Sequence, residues 1–76
     1  MITVRYFAGA RAAAGTPQAD LPDGISLADL TAQADAQLSK VLSASSFLVD
    51  GVSWRDRERP LPAGCTLDVL PPFAGG

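Results

Sequence analysis

"ISLADLTAQADAQL", Ile25 to Leu38, sets the architecture that the rest of the chain must satisfy. Ser26 is a good helix cap, and Asp29 stands three residues later as a shortened capping-box acid. Ile25 and Leu30 occupy the two positions of a hydrophobic staple. Leu27, Leu30, Ala34, Leu38 and then Val41 recur at helical spacing and make one apolar face. The spacing predicts one main helix from about Leu27 to Leu38, fraying towards Leu42. A helix with one apolar face must bury it against another element.

The flanks supply strands. Before the helix, "MITVRYF" alternates Ile2, Val4 and Tyr6 with Thr3 and Arg5, the period of a strand with one buried face. "GARAAAG" favours a short helical turn that Gly15 can end. "QADLPDG", Gln18 to Gly24, reads as a short strand running into a turn. After the helix, "SFLVDGVSW" places Asp50-Gly51 between two apolar runs, the signature of a hairpin with a two-residue turn. "RDRERPLPAG" is a connection broken by Pro60, Pro62 and Gly64. "CTLDVL" alternates again, with Cys65, Leu67 and Val69 on one side and Thr66, Asp68 and Leu70 on the other.

Two strands, one helix and three strands make an α+β arrangement with the helix over one face of the sheet. The fold expected from this order is the ubiquitin-like β-grasp, a mixed sheet of about five strands with one main helix across one face. Its first and last strands lie parallel at the centre. Residues 1–72 form the domain, and 73–76 are expected as a flexible tail ending in Gly-Gly.

Composition excludes much chemistry. The 76 residues suffice for one small domain. There is no histidine and one cysteine, so an internal disulfide, a Ser–His or Cys–His pair and a structural zinc or iron–sulfur cluster are out of reach. No metal and no bound cofactor are expected. Cys65 shares parity with Leu67 and Val69 and is read as a packed core thiol. A net charge of −2 argues against nucleic acid. The arginines of "WRDRER", Trp54 to Arg59, alternate with acids and read as a solvated loop. No apolar run can span a membrane. A lone thiol and a start that passes directly from Met1 into alternating apolar residues fit a reducing cytoplasm.

What remains is the end, "LPPFAGG". Pro71 and Pro72 stiffen the exit from the last strand. Gly75 and Gly76 lack Cβ, so their backbone can pass a narrow channel and leave the last carbonyl open to attack. Residues 73–76 extended reach about 13–14 Å. The Gly76 carboxylate is the one candidate reacting group. On the outer side of the sheet, Arg5 is expected near Asp68 and Phe7 near Leu70. These two apolar side chains, with Phe73 behind them, form a candidate docking patch at the root of the tail.

"VRYFAGARAAAG", "LVDGV" and "LPAGCTLDVLPPFAGG", with the Ser-capped helix between them, resemble the MoaD/ThiS sulfur carriers over the whole chain. The "YFA..R...G" and "LPP..GG" elements resemble most the small subunits of molybdopterin synthases. The resemblance implies that an E1-like enzyme adenylates Gly76 with ATP and that a sulfurtransferase supplies the sulfur of a Gly76 thiocarboxylate. Gly75 would thread the channel. Phe7, Leu70, Pro71, Pro72, Phe73 and Ala74 would contact partners. The tail would enter the large synthase subunit, in a heterotetramer, and give sulfur to the pterin precursor. The chain itself would not be an enzyme. Three alternatives share this scaffold: a carrier for thiazole or cysteine synthesis, a ubiquitin-like modifier, and a binding module with an inert tail.

Overall fold

The structure, a computed structural model, describes residues 1–72. The elements are β1 (Ile2–Tyr6), α1 (Gly9–Ala14), β2 (Gln18–Leu21), α2 (Leu27–Gln33), α3 (Ala36–Ala44), β3 (Ser46–Val49), β4 (Val52–Ser53) and β5 (Thr66–Leu70). They form a ubiquitin-like fold with a mixed sheet ordered β2-β1-β5-β3-β4. Strands β1 and β5 are parallel neighbours at the centre, as the order of elements predicts. The other pairings are antiparallel.

Alternation explains the packing. Ile2, Val4 and Tyr6 of β1, Leu67 and Val69 of β5, and Phe47 and Val49 of β3 all point to one face. Leu27 and Leu30 of α2, Leu42 of α3 and Ala10 of α1 cover it. Ser26 caps α2 with a complete capping box: its Oγ accepts from the Asp29 N–H at 3.1 Å, and the Asp29 carboxylate accepts from the Ser26 N–H at 2.9 Å. Asp50 and Gly51 turn the hairpin with φ of 48° and 85°, the positive values that this turn requires. Gly15 ends α1 at φ 77°, its N–H donating to the Arg11 carbonyl.

The single main helix is corrected to two. Ala34 and Asp35 are extended, with ψ of 155° and 174°. The cause is a second cap: the Asp35 carboxylate accepts from the Leu38 N–H at 2.8 Å and restarts the helix. Ala34, Leu38 and Val41 are left half-buried against the core, while Leu42 is fully buried. The connection from Trp54 to Arg59 is also more than a solvated loop. Arg57 is half-buried, lies 5.2 Å from the Phe47 ring centroid, and donates towards the last carbonyls of α3. Its carbonyl accepts from the Ala28 N–H at 2.8 Å, tying the loop to the start of α2.

Candidate functional site

The central parallel pair brings two distant segments into register. Arg5 faces Asp68 and Tyr6 faces Val69 across the β1–β5 ladder. One step further, the Phe7 N–H donates to the Val69 carbonyl at 3.3 Å. Phe7 and Leu70 therefore leave the sheet at the same end.

Arg5 holds Asp68 by two hydrogen bonds, Nε to Oδ1 at 2.6 Å and Nη2 to Oδ2 at 2.8 Å. These bonds, and then the carboxylate charge, raise the Arg5 pKa above its ordinary high value. The guanidinium also lies 5.7 Å from the Phe7 ring centroid, within cation–π range. Asp68 was expected to mark an open outer face, yet it is 8% exposed. Strand β5 is central, so β1 and β3 flank Asp68, and the Arg5 side chain closes over it.

At this end of the sheet lies an open cavity of about 660 Å³, with walls almost wholly apolar. The exits of the central strands contribute Phe7 and Leu70, followed by Pro71 and Pro72. Lys40, Val41 and Ala44 of α3 form the opposite wall, and Ala8 and Gly9 close the side towards α1. Ala8 turns the chain out of β1 with φ 48° and ψ −125°, a strained conformation for a residue that carries Cβ.

Four of the expected partner-binding residues, Phe7, Leu70, Pro71 and Pro72, thus line one cavity. Their setting differs from the expected one. Phe7 and Leu70 are half-buried rather than exposed on the outer face, and the space between them continues past the sheet end to α3. Phe73, Ala74, Gly75 and Gly76 lie outside the described residues. Sequence reasoning put Val41 on the apolar core face and assigned no role at this site to Lys40 or Ala44. Their signal was a helical spacing of one and four residues, but the expected helix frayed towards Leu42, whereas α3 is regular through Ala44.

Two other groups have settled roles. Cys65 is 2% exposed, and burial pushes its thiol pKa up, which disfavours the thiolate. The Asp23 carboxylate accepts from the Gly64 N–H and from the Met1 ammonium, both at 2.9 Å. The first of these contacts, and then the second, holds its pKa below the ordinary carboxylate range. Among the described residues, no three His, Cys, Asp or Glu side chains gather as metal ligands. No described helix is long and apolar enough to cross a membrane.

The family model described as "ThiS family" matches residues 4–76, from the first strand through both terminal glycines. The chain belongs to the ThiS family. Members of the ThiS family are small sulfur-carrier proteins, not catalysts themselves. No curated protein matches this ThiS-family chain.

Solved structures share its fold. A Pyrococcus furiosus protein assigned as a molybdopterin converting factor, subunit 1, is 24% identical, with a TM-score of 0.67 over 95% of this chain and 97% of that one. SAMP1 from Haloferax volcanii is 23% identical, with a TM-score of 0.69 over 99% of this chain and 98% of that one. A crystal structure of the H. volcanii small archaeal modifier protein 1 is 16% identical, with a TM-score of 0.64 over 95% and 97% of the two chains. At these identities the likeness is one of fold.

Proposed function

We propose that this ThiS-family protein carries sulfur as a thiocarboxylate on Gly76 and delivers it to a pterin precursor as the small subunit of a molybdopterin synthase. The observation that carries the reading is the family match running through residue 76, so that the two glycines belong to the family pattern. Residues 1–72 are the body and 73–76 the tail. The root of that tail, Pro71 and Pro72, stands on the wall of an apolar cavity, where a partner holding the body could also receive the tail.

The chemistry asks little of the body. A carboxylate is a poor electrophile, so an E1-like partner joins Gly76 to the α-phosphoryl group of ATP, and pyrophosphate leaves. A sulfur nucleophile supplied by a sulfurtransferase then attacks the acyl carbon, and AMP leaves. The thiocarboxylate gives its sulfur to the pterin inside the large synthase subunit. Partners supply the catalytic groups, and this chain supplies position. It holds no cofactor of its own, and the ATP is consumed by the adenylating partner.

The test is intact-mass spectrometry after incubation with ATP, an adenylating enzyme and a sulfur donor. The expected result is a gain of one sulfur in place of one oxygen, absent when Gly76 is deleted. Failure of the full chain to gain sulfur overturns the reading. The likeness to the H. volcanii modifier favours a second reading, transfer of Gly76 to lysines of other proteins. Gly-Gly remnants on other proteins in cell digests, with no thiocarboxylate on the free chain, would establish it.

A further inference from the structure

We propose that the turn at Ala8 and Gly9 is the point of closest approach for the enzyme that adenylates Gly76: the Ala8 methyl is a contact, and Gly9 leaves room for the partner's main chain. The inference rests on the reading of Gly76 as a carrier end that must be activated. It adds two residues of the body that decide which partner fits.

The first observation is that these two residues stand in the reverse of the order their turn prefers. Ala8 has φ 48° and ψ −125°, and the Ala10 N–H closes the turn on the Phe7 carbonyl at 3.0 Å. The angles are close to those of the first central residue of a type II′ turn, about +60° and −120°. Glycine fills that position because it has no Cβ to clash. Here the glycine comes one residue later. Gly9 has no positive φ, and a Cβ built on it meets nothing within 4 Å. The fold thus strains a methyl at position 8 and omits one at position 9 that it has room for. Neither choice is offset inside the domain, since Ala8 and Gly9 are both exposed and the methyl gains no core packing. Among the described residues, Asp50 is the only other non-glycine with positive φ, and its turn accepts aspartate. Strain of this kind persists where it serves a contact site.

The second observation is place. Ala8 and Gly9 stand on the wall of the same cavity as Pro72. Four residues follow Pro72 in the sequence, and no four residues span more than about 13–14 Å. An enzyme with Gly76 at its reacting centre therefore brings its own surface within that distance of Pro72, and so to the cavity mouth. In the carrier reading the first enzyme to hold that end is the one that activates the carboxylate, which makes it the occupant. The cavity walls are almost wholly apolar, so the surface that meets them is apolar too. Over Gly9 a missing side chain lets a second main chain come close.

The test compares the wild type, Ala8→Gly and Gly9→Ala by thermal melts and as substrates in ATP–pyrophosphate exchange with the adenylating enzyme. Ala8→Gly should raise Tm by roughly 4–8 °C, because relief of strain exceeds the extra freedom glycine gives the unfolded chain. Gly9→Ala should keep or raise Tm, since alanine is the better helix former. The KM for the carrier should nevertheless rise in both. The expected rise is roughly fourfold in Ala8→Gly, the worth of one buried methyl group. It is roughly tenfold in Gly9→Ala, where the added methyl meets the partner's main chain. The kcat and the KM for ATP should not change, the mark of lost binding alone. A turn with only a structural role moves Tm and leaves KM, so a raised Tm with unchanged KM overturns the proposal. So does a fall in Tm for Ala8→Gly, which would mean that the turn holds no strain. A wild-type dimer in sedimentation that Gly9→Ala abolishes, with KM unchanged, makes a second copy the occupant and also overturns it. Absence of any exchange with the wild type instead overturns the carrier reading, and this inference with it.

Discussion

Replacing Asp35 by alanine changes stability in opposite directions for a broken helix and a continuous one. In the structure Asp35 is extended and its carboxylate accepts from the Leu38 N–H at 2.8 Å, while its carbonyl accepts the first bond of α3 from the Ser39 N–H. Losing an N-cap of this kind costs about 1 kcal/mol, with a range of about 0.5–2. In a domain of this size, about 1 kcal/mol corresponds to a fall in Tm of roughly 4–8 °C. Were residues 27–42 one unbroken helix, as the apolar spacing alone predicts, Asp35 would sit inside it. Alanine, the better helix former, would then raise stability by up to about 0.7 kcal/mol. Thermal and urea melts followed by circular dichroism decide the sign. Asp35→Asn is the control, because asparagine caps as well as aspartate, and its Tm should stay near that of the wild type. A Tm for Asp35→Ala that is unchanged or raised refutes the second cap and the break at Ala34–Asp35.

Leu70→Asp puts a charge on the apolar cavity wall, so under the proposed carrier role it should weaken binding to both the adenylating enzyme and the large synthase subunit while far-UV circular dichroism stays native. Unchanged affinities in titration calorimetry would remove the cavity from the docking surface. Under the same proposed role, Cys65→Ala should still form the thiocarboxylate at a near-normal rate, and it should lose on the order of 1 kcal/mol in urea melts from the small void. In the native wild type the raised thiol pKa and burial should make labelling by a thiol reagent slow, and denaturant should make it fast. Asp23 has a lowered folded pKa, so its contribution is present above its unfolded pKa, about 3.9, and is lost as pH falls through the lower folded value. The Tm gap between wild type and Asp23→Asn should therefore be widest near neutral pH and close in strong acid; a gap that survives at the acid extreme assigns the effect to something other than ionisation.

Local rules made most of the fold legible. Alternation in residues 2–6 and 66–70, the Asp50-Gly51 turn and the Ser26 cap each leave a mark within a few residues, and each is found in the structure. Arg5 facing Asp68 followed from strand parity and a parallel register. The break at Ala34–Asp35 was hidden because Ala34, Leu38 and Val41 continue the helical spacing across it. Asp35 lies between them and is a cap through a bond that spacing does not encode. The burial of Asp68 depends on Arg5, 63 residues away, folding over it. The same limit applies to the cavity. Phe7 and Leu70 could be paired on parity, but the wall of Lys40, Val41 and Ala44 depends on where α3 comes to rest, which is a tertiary fact.

The placement of β5 at the centre of the sheet has a consequence for the order of events in synthesis. Strand β1 is made early and β5 last among the described elements, yet each is the other's neighbour. Until residues 66–70 have left the ribosome, β1 and β3 each lack their partner on one side, and the sheet is two separate pairs of strands. Closure over such sequence distances is slow compared with local helix formation. A nascent or truncated chain lacking β5 therefore has no closed core and leaves unpaired strand edges open to other chains. Pro71 and Pro72 follow β5 directly, so their place on the cavity wall is set only once β5 has docked. An enzyme that must grip the body before charging the end would, by that geometry alone, pass over unfinished molecules.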